Sequence, residues 1–134
     1  MSNDTPSTYN LKLENSAAPL LQSYWFSHMA EGKTPSYGAG VNLGSNAQSA
    51  CIPIQVIGGE DDYWTVSVVD DKGHLYSTEL LQKANVASGL PQDTTITLDV
   101  VPSSGSQLQV NIEYPGYKAG PLTLQLFGQH YVPS

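Results

Sequence analysis

The alternation of apolar and polar side chains divides the chain into a succession of short strands. Tyr9, Leu11 and Leu13 alternate with Asn10, Lys12 and Glu14, the period of two that turns one set toward a core and the other toward water. The same alternation recurs at Ile52, Ile54 and Val56, at Trp64, Val66 and Val68, and at Ile96, Leu98 and Val100. It returns at Leu108, Val110, Ile112 and Tyr114, and again at Leu122, Leu124 and Leu126. Leu20 to Met29 is a further apolar and aromatic run, entered after Pro19. Pro53 lacks a backbone donor, so its strand is expected at a sheet edge or at a bulge.

Turn residues punctuate these runs: Gly58-Gly59, Asp70-Asp71-Lys72-Gly73, Ser88-Gly89-Leu90-Pro91, Ser103 to Ser106, and Pro115-Gly116. The second and fourth of these read as hairpins. Thr78 to Asn85 is the one stretch with helical character, and the Gly-, Ser- and Asn-rich Thr34 to Ala50 reads as a long surface loop. Regularly spaced strands, each with one polar face, predict an all-β fold: an antiparallel two-sheet β-sandwich. The whole of 1–134 is expected to be one domain, with 1–7 as a flexible N-terminal tail.

Charge narrows the partners. Twelve acids face five lysines for a net charge of −7, and arginine does not occur. Nucleic-acid binding draws on clustered cations and on the guanidinium fork, so nucleic acid is not an expected partner. Simple adsorption to anionic lipid is disfavoured for the same reason. The polar opening has no hydrophobic segment of signal-peptide length, which predicts a protein made in the cytoplasm that stays there unless lysis or a dedicated machine releases it. Cys51, the single cysteine, cannot pair within the chain and reads as a small core residue between Ala50 and Ile52. Intermolecular pairing or a reactive thiol are its other readings.

Candidate chemistry is sparse. Glu60, Asp61, Asp62, Asp70 and Asp71 form two acidic groups at opposite ends of a predicted strand. They read as solvated turn acids, with a calcium site as the alternative. His28, His74 and His130 share no ligand spacing, and no nucleophile elbow, phosphate loop or Cys-x-x-Cys motif occurs. The expectation is a non-enzymatic protein without metal or cofactor. The aromatics say more. Tyr24, Trp25 and Phe26 are consecutive, so in a strand either Trp25 or the Tyr24/Phe26 pair must face outward. Tyr63 and Trp64 pose the same alternative, and Tyr114 and Tyr117 flank the Pro115-Gly116 turn. Rings with a polar tip suit sugar stacking or the membrane–water interface. The candidate ligand-binding residues are therefore Tyr24, Trp25, Tyr63, Trp64, Tyr114 and Tyr117.

The order of these features resembles the aegerolysins, small acidic β-sandwich proteins of fungi and bacteria. The resemblance rests on Tyr9 to Asn15, on Ser23-Tyr24-Trp25 followed by His28, Ala30, Gly32 and Lys33, and on Ser49-Ala50-Cys51. It continues through Tyr63 to Asp70 and closes with Val110 to Tyr114, Gly116, Gly120 and Leu122 to Leu126. The family's Asp-Cys-Pro-Trp segment has Glu79-Leu80-Leu81-Gln82 in its place, and Ile52 to Ile57 replaces a Gly-rich segment. The resemblance implies binding of a membrane lipid, and a larger pore-forming protein as partner in a two-component toxin. Beside this leading expectation stand a carbohydrate-binding module using the same aromatics and a structural or assembly subunit.

Overall fold

The computed structural model describes residues 6–78, 81–104 and 107–129. In chain order its strands are β1 (Ser7–Asn15), β2 (Leu20–Ala30), β3 (Ser36–Gly44), β4 (Ile52–Val56) and β5 (Asp62–Asp70). They continue as β6 (His74–Ser77), β7 (Gln82–Lys83), β8 (Thr95–Pro102), β9 (Leu108–Tyr114) and β10 (Tyr117–Gln129). The all-β expectation holds. Among the described residues there is no helix, and none therefore long and apolar enough to cross a membrane.

The arrangement of the sheet differs from the one expected. All ten strands belong to one mixed sheet in the order β3-β2-β5-β6-β10-β9-β8-β1-β4, with β7 added alongside β5. This sheet curls into a nearly closed, barrel-like wall rather than a clear antiparallel two-sheet sandwich. β10 joins the two halves, pairing with β9 through Leu124 and with β6 from Gln125 onward. β1 pairs antiparallel with β4 but parallel with β8. The parallel pair follows from the long connection after β7, which crosses the barrel end beside the start of β1. There the Tyr9 hydroxyl donates to Ala87 O at 2.8 Å and accepts from Leu90 N at 3.1 Å. Gly89 N donates to Ser7 Oγ, and Asp93 N to Thr8 O. β8 thus enters at the same end as β1 and must run beside it in the same direction.

Ser7, expected in the tail, opens β1 and is buried. Thr78 to Asn85 forms no helix among its described residues; Gln82 and Lys83 pair with Trp64 and Tyr63. The predicted loop Thr34 to Ala50 contains β3, a full edge strand. Its glycines hid it. The Phe26 ring lies over Gly38 so closely that a Cβ there would meet Cζ at 2.7 Å, and the Tyr24 ring covers Gly40 in the same way. Gly38 and Gly40 are therefore glycine because β2's inward rings occupy the space their side chains would fill. Cys51 is exposed ahead of β4 and is not a core residue.

The core is the barrel interior. Tyr9, Leu11, Leu13, Phe26, Trp64, Val66, Ile96, Leu98, Val110, Ile112 and Leu124 are all essentially inaccessible to water. Each except Phe26, whose direction the sequence left open, sits at the inward position of the alternation that predicted its strand. Asn15 closes one end of the wall. Its Nδ2 donates to Leu43 O, Gly44 O and Ala18 O at 3.0–3.1 Å, and its Oδ1 accepts from Ala17 N and Ala18 N. Beside it, Glu14 bridges to Gln48, so β1 holds both the end of β3 and the loop that follows.

Candidate functional site

Two outer faces with opposite chemistry flank this core. On the half built from β1, β8, β9 and β10, register sets Lys12 beside Thr97, Glu14 beside Asp99, and Glu113 beside both Thr97 and Lys118. That face is polar and charged. Burial pushes the Asp99 carboxyl above its ordinary value, with Glu14 and Glu113 adding to the rise and Ser16 and Lys118 opposing it. Its Oδ1 is buried without a hydrogen-bond partner.

The face built from β3, β2, β5 and β6 carries no charge across its centre. Register aligns Val41 with Ser23 and Val69, Ala39 with Trp25 and Ser67, and Tyr37 with Ser27 and Thr65. Ser67 and Val69 continue to Ser77 and Leu75. Residues directly opposite one another in antiparallel strands project from the same side, so these form one surface. Hydroxyls pair down it, Ser27 with Thr65 and Ser67 with Ser77, each at 2.7 Å. Large apolar groups stand beside them: Trp25 is 38% exposed, Tyr37 65% and Val41 67%. The Trp25 and Tyr37 rings stack with centroids 6.2 Å apart and planes 24° from parallel. A groove of about 540 Å³ runs along this surface, lined by Trp25, Ser23, Ala39, Val41, Ser67 and Leu75 among others.

The alternative posed by the consecutive aromatics is thereby resolved. Trp25 faces out, while Tyr24 and Phe26 stack on each other, 6.2 Å apart, over the glycines of β3. Tyr63 is half-buried on the outward side of β5, opposite Met29. Trp64 faces the interior, completely buried, with its indole N–H donating to Ala84 O at 2.7 Å. It is a core residue and leaves the set of surface candidates. The alternation of Trp64, Val66 and Val68 against Thr65 and Ser67 already contained that direction. Tyr114 is half-buried away from the groove, its hydroxyl accepting from Ala87 N. The side chain of Tyr117 lies outside what the structure describes. Of the six predicted residues, Trp25 and Tyr24 line the groove. Val41, which also lines the groove, and Tyr37, which stacks on Trp25 beside it, were missed because their strand reads as a loop.

Of the five acids, Asp62 and Asp70 depart from the solvated-turn reading, whereas Asp71 is an exposed turn residue as expected. Asp62 is buried against His28, with Nε2 and Oδ1 2.7 Å apart, and its Oδ2 accepts from Val86 N. Asp70 shapes the β5–β6 turn by accepting from Lys72 N and His74 N. Among the described residues no group of three or more His, Cys, Asp or Glu side chains could hold a metal ion. His130 lies outside the described residues.

No protein-family model matches this chain, and no curated protein matches it.

Proposed function

We propose that the outer face of β2, β3 and β5 is a binding surface for the interfacial region of a neutral or zwitterionic membrane, and that the protein is a lipid-binding module rather than an enzyme. The observation that carries this reading is the stacked Trp25–Tyr37 pair, exposed on a face without charge across its centre. Indole and phenol rings favour the headgroup level of a bilayer, where the ring is apolar and the N–H or O–H stays wet. The charged pairs of β1, β8 and β9 stand on the other half of the barrel, and Lys83, beside Tyr63, lies at the end of this face rather than at its centre. Attraction here depends on apolar burial and hydrogen bonds, so it is insensitive to salt.

Co-sedimentation with vesicles of phosphatidylcholine, sphingomyelin and cholesterol, at low and high salt, tests the reading. Binding that survives high salt supports it. Recovery of all protein in the supernatant across the panel sinks it.

A glycan is the second reading, favoured by the hydroxyls of Ser23 and Ser67 beside the Trp25 ring in the same groove. An aromatic platform with adjacent hydroxyls suits a sugar ring's apolar face and its edge. A glycan array with signal dependent on Trp25, together with no vesicle binding, selects this alternative.

A further inference from the structure

The open seam of the barrel has a chemistry of its own. β3 and β4 are the end strands of the sheet and do not pair with each other. Asn15 and the strand β1 tie the seam at one end. At the other end, where β2 turns into β3, it widens into a cleft of about 280 Å³. Thr8, Thr34, Ser36 and Gln55 bring hydroxyls and an amide to the lining, and Lys33 and His28 bring nitrogen groups.

Both nitrogen groups are available. Lys12 is bonded to Gln48, Lys83 and Lys118 have acidic partners, and Lys72 is engaged as well. Lys33 alone of the five lysines offers an ammonium with no hydrogen bond or ion pair among the described residues, in a chain of net charge −7. His28 is 2% exposed and held from two sides, by the Asp62 carboxylate at 2.7 Å and by the Trp64 ring at a centroid distance of 4.6 Å. A carboxylate only accepts, so in the neutral ring the proton sits on Nε2 and Nδ1 is an acceptor. Nδ1 has no partner among the described residues. A ligand for this cleft therefore needs anionic oxygens for Lys33 and the hydroxyls, and a donor for His28.

We propose that the seam cleft binds a phosphate monoester, its anionic oxygens toward Lys33 and its P–O–H donating to His28 Nδ1. A singly protonated phosphate combines both requirements in one group, whereas sulfate near neutral pH has no donor. The cleft is small for a ligand pocket, which fits a terminal phosphate rather than a large solute. Two sources carry that group: a soluble sugar or glycerol phosphate, and a lipid with a terminal phosphate. This site is separate from the Trp25 groove and does not rest on the membrane reading.

The test is an NMR titration of the full chain with inorganic phosphate near neutral pH at constant ionic strength. Saturable shifts of the Ser36 amide and the His28 imidazole are expected. Sulfate binds about tenfold more weakly, because it leaves the His28 acceptor unpaired. Lys33→Met, an exposed change that leaves the core alone, weakens phosphate by about tenfold, and Lys33→Arg restores it. Glycerol 3-phosphate in solution and vesicles with or without phosphatidic acid then distinguish the source, and saturable binding of either supports the site. Shifts that do not saturate, that sulfate reproduces at equal concentration, or that persist unchanged in Lys33→Met overturn it. Failure of binding to neutral vesicles leaves this titration unaffected, so the two proposals fail separately.

Discussion

Trp25 and Tyr37 stack diagonally across neighbouring strands, one the outward member of three consecutive aromatics, the other on a strand rich in glycine. Their stacking at 6.2 Å exists because Tyr24 and Phe26 turn inward over Gly40 and Gly38. The small residues beneath and the large residues above are one device. β3 packs close to β2 through its glycines and presents its remaining side chains to solvent.

Substituting Gly38 by valine tests that device. Valine favours strands, so on propensity alone the change stabilises an extended edge. Its Cβ would instead stand 2.7 Å from the Phe26 ring, forcing core and edge strand apart. Gly38→Val is expected to destabilise the fold by about 1–3 kcal/mol in denaturant unfolding. A gain in stability would show that Phe26 does not fill the space over β3.

Asn15 concentrates five polar contacts in one fully buried side chain, its two N–H groups shared among three carbonyls and its oxygen accepting from two amides. Alanine leaves the Leu43 and Gly44 carbonyls without their amide partner where the wall closes. Asn15→Ala is expected to cost about 3–5 kcal/mol, because buried groups lose partners without gaining water. Hydrogen exchange localises the damage: amides of β3 lose protection before those of β8 and β9. A cost below about 1 kcal/mol would place the closure elsewhere.

Asp99 contributes a pH dependence of defined sign. Its carboxyl is raised above the ordinary 3.8 chiefly by burial. Between that value and the raised one the folded state holds more protons than the unfolded state, so stability falls as pH rises through the window. Asp99→Asn cannot ionise. It is expected to be more stable than the parent at neutral pH, with the difference shrinking as pH drops below the ordinary carboxyl value. A Tm series from acid to neutral pH measures this, and a difference independent of pH would contradict it.

Much of the wall was legible in the alternation of side chains. Leu11, Leu13, Val66, Ile96, Leu98, Val110 and Ile112 are buried where the period of two puts them, and Pro53 lies on an end strand as its missing donor requires. Direction was not legible, because alternation is the same for parallel and antiparallel neighbours; the β1–β8 pair is set by the path of the Ala84–Thr94 connection. β3 was lost because strand patterns weigh apolar bulk, and here the inward positions are glycines shaped by another strand's rings. The His28–Asp62 pair joins residues 34 positions apart and leaves no local trace. The β2 side of the groove was visible through Trp25; Val41 on its β3 side, and Tyr37 stacked on Trp25, shared the fate of β3.

The chain's two tryptophans allow the central claim to be read optically. Trp25 lies on the groove and Trp64 is sealed in the core. Tryptophan emission is recorded while neutral vesicles are added to the parent, to Trp25→Phe and to Tyr37→Ala. A blue shift in the parent is expected, with Trp25→Phe spectrally silent and Tyr37→Ala binding about tenfold more weakly. Emission that does not move in the parent, or that shifts equally without Trp25, would contradict the assignment of this face to the membrane.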